Sequence, residues 1–193
     1  GKRIGTMQDT PYMNYIIPGL TMMSVINMSY QNSSSSIMQA KFLKFIEDIL
    51  IAPLSGFEIS MAFTFGGMLR GVINGVLVLL LSYFLVGFTI ENYLLTLIYL
   101  ITVSWAFSAL GVIIGVYAKS WDQIGSFTTF VFMPLSMLGG VFWSIDMLPE
   151  LWRNISLFNP LYWMINGLRY STLGIADTSQ YLSLIISLSF SII

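Results

Sequence analysis

Residues 71–90 read GVINGVLVLLLSYFLVGFTI, twenty consecutive positions without Asp, Glu, Lys or Arg. A helix rises about 1.5 Å per residue, so a run of this length matches the roughly 30 Å hydrocarbon core of a bilayer. The whole chain points the same way. Its 193 residues are 56% hydrophobic and 9% charged, with mean hydropathy +0.80, outside the range of soluble globular domains.

Working outward from this run, residues 92–118 and 123–145 are also free of charge and long enough to cross. A fourth charge-free run, residues 10–40, holds a candidate span over residues 15–37. Its Asn27, Ser29, Gln31, Asn32 and the serines at 33–36 make it polar, which implies burial inside a bundle and not contact with lipid. A fifth run, residues 181–193, is too short to complete a crossing. The fold class expected is therefore an all-α, polytopic membrane helical bundle with about five spans visible. Gly1, Lys2 and Arg3 open the chain without an initiator methionine or the apolar core of a signal peptide, so residues 1–193 are expected to be one domain truncated at both ends.

Loops carry function more often than the elements they join. In the first connector, residues 38–68, AKFLKFIEDILIAP places Phe42, Phe45, Ile46, Ile49 and Leu50 on one helical face. Lys41, Lys44, Glu47 and Asp48 lie elsewhere, and Pro53 is expected to end the helix. Two readings fit: an interfacial helix resting on headgroups, or a docking helix for a protein partner. Two bases balanced by two acids suit the second better, because lipid anchors are rich in Lys and Arg. Residues 91 and 92 form a tight hairpin and YAKSWDQ, 117–123, a short connector; neither offers a site.

The last connector, residues 144–180, is long enough for structure of its own. In SIDMLPELWRNISLFNP, Asp146 suits a helix start and Pro149 its first turn. A second piece has Asn159 as N-cap, Pro160 at the first helical position, Leu161, Ile165 and Leu168 on one face, and Gly174 as its stop. Neither piece is long enough to span. Trp152, Tyr162, Trp163 and Tyr170 fit a hairpin dipping into the membrane interface; a surface cap without a gating role fits as well.

Gly67, Gly71 and Gly75, and again Gly111 and Gly115, recur at four-residue spacing, which lets helix backbones approach closely. Pro134 is expected to kink the span of residues 123–143.

No catalytic motif, glycine-rich dinucleotide fingerprint or P-loop occurs, and the absence of Cys and His removes thiol nucleophiles, disulfides and imidazole metal ligands. No catalytic residue, metal site or cofactor is therefore expected in this chain, and a net charge of −1 implies no nucleic-acid partner. A proton-driven carrier usually needs an ionisable residue in its spans. The clear spans here carry none, so energy is expected from a partner. An ATP-independent channel or scaffold is the alternative; an intramembrane enzyme fits less well.

Three stretches together carry a resemblance: IIPGLTMMSVI (16–26), AKFLKFIEDILIAPLS (40–55) and PLSMLGGVFWSIDMLPELWRNISLFNPLYWMINGLRYSTLGI (134–175). The chain resembles the type-2 permease family of ATP-binding-cassette (ABC) transporters, especially its drug-resistance and nodulation-factor export branch and inner-membrane permeases of enterobacteria. The resemblance implies six spans, with span one and the end of span six missing here. It implies a cytoplasmic coupling helix over residues 41–50, including Lys41, Phe42, Lys44, Phe45, Ile46, Glu47 and Asp48. It also implies an external re-entrant hairpin over residues 146–174, with Asp146, Pro149, Trp152, Asn159, Pro160, Trp163 and Arg169. The implied partners are a separate ATPase subunit, which holds ATP and Mg, a second permease copy in a homodimer, and membrane lipid. The implied function is export of an amphiphilic, drug-like or glycan- or lipid-linked substrate across the inner membrane. Charge does not choose the orientation: Lys41, Lys44, Arg70 and Lys119 fall inside, against Lys2, Arg3, Arg153 and Arg169 outside.

Overall fold

The structure, a computed structural model, describes residues 6–7 and 10–191. Helices dominate. A two-residue antiparallel pairing (β1, Thr6–Met7; β2, Thr10–Pro11) leads into α1, Tyr12–Phe42. Then come α2 (Ile46–Ile51), α3 (Gly56–Val86), α4 (Tyr93–Tyr117), α5 (Trp121–Phe127), α6 (Met133–Leu138), α7 (Glu150–Phe158), α8 (Pro160–Leu173) and α9 (Gln180–Phe190).

By length and composition, α3 and α4 are each able to cross a membrane. Helix α3 begins well before the charge-free run that signals it. Ser55 accepts a hydrogen bond from the Glu58 backbone N–H, and the Glu58 carboxylate accepts one from the Ser55 N–H at 2.7 Å, a reciprocal cap that starts the helix fifteen residues ahead of Gly71. A boundary drawn at the nearest charge therefore places the start too late, because capping and not polarity decides where a helix begins.

Helix α1 lies at the centre, packed against α3, α4, α5 and α8. Its polar residues face inward: Ser29, Ser33 and Ser34 are buried, and Ser33 Oγ meets Ser108 Oγ of α4 at 2.5 Å. Glycines make this approach possible. A methyl group on Gly67 would overlap the hydroxyls of Ser33 and Ser108, and one on Gly71 would overlap Ser29. At Gly75 it would come within 2.7 Å of Val25 and 2.8 Å of Leu100. From α4, Gly111 and Gly115 face the backbone of α1 at Tyr30 and Ser34. The α1/α3/α4 seam is thus held by close backbone packing and short hydroxyl contacts, the means available where apolar transfer gives no net drive.

The region of residues 123–145 is not one regular helix. Pro134 has no N–H, and its ring crowds the carbonyl four residues earlier. The turn before it, Thr128–Phe132, widens to a π turn in which the Met133 N–H bonds the Thr128 carbonyl five residues back. Helix α6 then stops at Leu138, seven residues short of the end of the charge-free run, because Gly139 and Gly140 follow and Gly140 takes φ +77°. The freed chain folds back over α1. Gly19 is the contact point, where a methyl group would meet Val141 Cα at 2.8 Å.

Candidate functional site

Two regions hold the sequence-derived candidates, and they lie at opposite ends of α1. That helix has 31 residues, so its ends are separated by about 46 Å.

At the N-terminal end of α1 sits the hairpin of α7 and α8. A 3-10 turn, Ile145–Met147, precedes it. The Asp146 side chain lies outside the described residues. Pro149 takes the N-cap position of α7 at φ −55°, ψ 149°, one place before the first turn that its spacing suggests. Helix α8 follows its local signals closely. Asn159 Oδ1 accepts from the Leu161 N–H at 3.0 Å, Pro160 opens the helix, and Gly174 closes it at φ +70°. Asn159 also reaches outward, its Nδ2 donating to the Leu135 carbonyl of α6 at 2.6 Å.

The two helices of the hairpin differ in surroundings. Leu151, Trp152, Ile155 and Phe158 of α7 are exposed. Helix α8 is core: Leu161, Tyr162, Met164, Ile165 and Leu168 are buried against α1, α4 and α9. Tyr162 is therefore packed inside the bundle, whereas Trp152 of the same aromatic set is exposed. Trp163 is partly buried and donates its Nε1–H to the Leu157 carbonyl at 2.9 Å.

Arg169, which the resemblance puts on the external side of the membrane, is fully buried within the bundle, at 0% exposure. Its Nη2 donates to the Gly140 carbonyl at 2.6 Å, Nη1 stands 3.5 Å from Asp177 Oδ2, and the guanidinium lies 4.0 Å above the Tyr15 ring. Asp177 accepts from Ser144 Oγ at 2.9 Å and from the Ile145 N–H at 3.4 Å. Asn166 completes the cluster. Its Oδ1 accepts from the Asp177 N–H at 2.9 Å, and its Nδ2 donates to Thr178 Oγ1 at 3.0 Å and Ser183 Oγ at 2.9 Å. Five segments are joined: the start of α1, the turn after α6, helix α8, the loop into α9 and α9 itself. Buried ions persist only when paired and hydrogen-bonded, and here a carboxylate, a carbonyl and a ring face do that for Arg169. Asn166 lies within the 134–175 stretch without being singled out there, and Asp177 lies outside every motif; its signal in the sequence was an acid eight residues after an arginine.

At the other end of α1 lies the segment read as one amphipathic helix. The structure breaks it. Helix α1 runs through Lys41 and Phe42, Lys44 takes the left-handed φ +62°, and α2 resumes for only six residues. The Lys44 N–H bonds the Lys41 carbonyl at 3.1 Å, ending α1 in the manner of a left-handed cap. No single apolar face survives: Phe42, Leu43, Phe45, Leu50 and Ile51 are all exposed, as are Lys44, Glu47 and Asp48, while Ile46 is half-buried. Lys41 differs from its neighbours. Its ammonium donates to the carbonyls of Gly115 at 2.8 Å and Ala118 at 3.2 Å, and to that of Val116, all at the end of α4.

Residues 2–173 match the family model described as ABC-2 type transporter. Over 177 residues, 92% of this chain and 69% of the relative, the chain is 43% identical to the inner membrane transport permease YadH of Escherichia coli K12. The YadH of Shigella flexneri matches to the same extent. The inner membrane transport permease YhhJ of E. coli K12 is 26% identical over 147 residues, 75% of this chain and 38% of that protein. A family match across most of the chain, joined to membrane-capable α3 and α4, places the molecule: it belongs to the ABC-2 type transporter family and is an inner-membrane transport permease, not an enzyme.

Proposed function

We propose that the chain is the membrane-spanning subunit of an ATP-driven exporter, in which a separate ATPase subunit binds ATP and Mg and docks at residues 42–51. The observation that carries this reading is the contrast between the ends of α1. At one end α8 of the hairpin is bound into the bundle and buries its charged and polar side chains; at the other Phe42, Leu43, Leu50 and Ile51 stand exposed beside Glu47 and Asp48, an apolar and acidic surface open to a protein partner. The docking end is then cytoplasmic and the α7/α8 hairpin external, over the exit path. Six spans in the whole protein, a homodimer of permease copies and an amphiphilic, drug-like or glycan- or lipid-linked substrate complete the reading.

The test is reversal of charge on the docking segment. Glu47→Lys with Asp48→Lys sets like charges or unpaired groups against the partner, which costs several kcal/mol at an interface. The double variant is expected to insert normally and to lose the co-purifying ATPase. A lipid-resting segment behaves in the opposite way, since added lysines near an anionic leaflet strengthen its attachment by roughly 1 kcal/mol each. Undiminished ATPase co-purification in the double variant sinks the docking assignment.

A further inference from the structure

The carbonyls at a helix C-terminus have no partner within the helix and carry the negative end of its dipole. In α4 they are met by a cation from another helix. The Ala118 N–H closes back on the Ile114 carbonyl at 2.8 Å, and Lys41 donates to the next free acceptors, the carbonyls of Gly115, Val116 and Ala118. An ammonium has three N–H donors, and three acceptors meet it. Lys41 therefore has no donor left for a partner protein, although it immediately precedes the docking segment. Lys44, Glu47 and Asp48, by contrast, are exposed.

What Lys41 fastens together is specific. On its own side, α1 ends one residue later, and the chain turns through Lys44 into α2. On the other side, residues 118–120 are the whole connection between α4 and α5. That connection is itself firmly set: the Lys119 N–H bonds Gln123 Oε1 at 2.7 Å, and Tyr30 of α1 donates its hydroxyl to the Ile124 carbonyl at 3.1 Å. From α5 the chain continues through the π turn and α6 to Gly140, whose carbonyl accepts from Arg169.

We propose that Lys41 is a positioning residue and not a docking residue: its ammonium ties the turn into α2 to the turn into α5, so that a displacement of residues 42–51 is passed to α5. The proposal rests on the reading that those residues meet an ATPase.

The experiment uses the full-length permease co-expressed with its ATPase and reconstituted in lipid, with one cysteine introduced at Asp122, an exposed position in the first turn of α5 outside the charge-free run. Two quantities are read: ATPase retained on the purified permease, and the rate of maleimide labelling at position 122 with and without ATP and Mg. With Lys41 intact, nucleotide is expected to change the labelling rate about fivefold or more, the lower range of measured couplings between sites. Lys41→Met is expected to keep the ATPase and abolish the change, and Lys41→Arg to restore it, because a guanidinium retains charge and donors. A Lys41→Met chain that responds to nucleotide as strongly as the parent overturns the strut, and so does one that loses its ATPase, which would make Lys41 a docking residue. Failure of both Lys41→Met and Lys41→Ala to insert would make it a folding residue and overturn the proposal as well. A parent that retains its ATPase but shows no response at position 122 removes the strut and leaves docking intact. A parent that retains no ATPase removes the docking reading, and the strut with it.

Discussion

The cluster beneath α8 and the α2 end handle charge in opposite ways. At the hairpin end, Glu150 and Arg153 of α7 stay exposed, but Arg169 and Asp177 are withdrawn from solvent into a cluster that joins five segments. At the α2 end, Glu47, Asp48 and Lys44 stay exposed, while Lys41 is paired with carbonyls of α4. Between them the α1/α3/α4 seam has no ion pair among the described residues and relies on glycines and serine hydroxyls. A buried ion pair fixes geometry at a high cost if either member is lost, whereas exposed charges stabilise little and remain available to a partner. The difference marks the cluster beneath α8 as a set piece of architecture and leaves the charges of the α2 end open, as the proposed docking requires.

The largest expected effect tests the buried pair. Removing one member, by Arg169→Met or Asp177→Leu, leaves the other ion unpaired and is expected to lower stability by about 3–5 kcal/mol, measured by thermal unfolding in detergent. The double variant should recover most of that loss, since an apolar pair needs no solvation. Single variants with unchanged unfolding would mean that the pair is hydrated and that the two ends of α1 are alike.

A smaller effect is expected at the seam. Gly67→Ala or Gly71→Ala forces a methyl group into serine hydroxyls and should cost about 1–3 kcal/mol. Gly66 is the control: nothing lies within 4 Å of a Cβ there, so Gly66→Ala should be neutral or stabilise by up to about 1 kcal/mol through helix propensity. Equal behaviour of Gly66 and Gly67 would remove the packing role of the stripe.

The smallest effect belongs to the α2 end. Lys44 holds φ +62°, a conformation that is strained for a residue with a side chain, so Lys44→Gly is expected to raise stability by about 0.5–1 kcal/mol. A destabilised Lys44→Gly protein would show that the lysine side chain contributes more here than the backbone strain costs.

What was legible in the sequence was what a few adjacent residues decide. A charge-free run long enough to cross marked α3 and α4, and Asn159, Pro160 and Gly174 marked both ends of α8. Each of these depends on hydrogen bonds or spacing within about one turn of helix, so no distant partner is needed to read it. The family resemblance was legible for the same reason, carried by motifs that occupy continuous stretches.

Only the tertiary structure decided which of two like residues does which task. Arg153 and Arg169 look alike in sequence as loop charges, yet Arg169 is fully buried against Tyr15, Gly140 and Asp177, partners 154, 29 and 8 residues away. Lys41 and Lys44 are three residues apart on what reads as one amphipathic helix; one caps α4 and the other bends the chain out of α1. Periodicity measures which residues share a face, and it is silent on what that face meets. Burial of a charge requires a partner delivered by the rest of the fold, so its location is a property of the packed bundle and not of any local stretch.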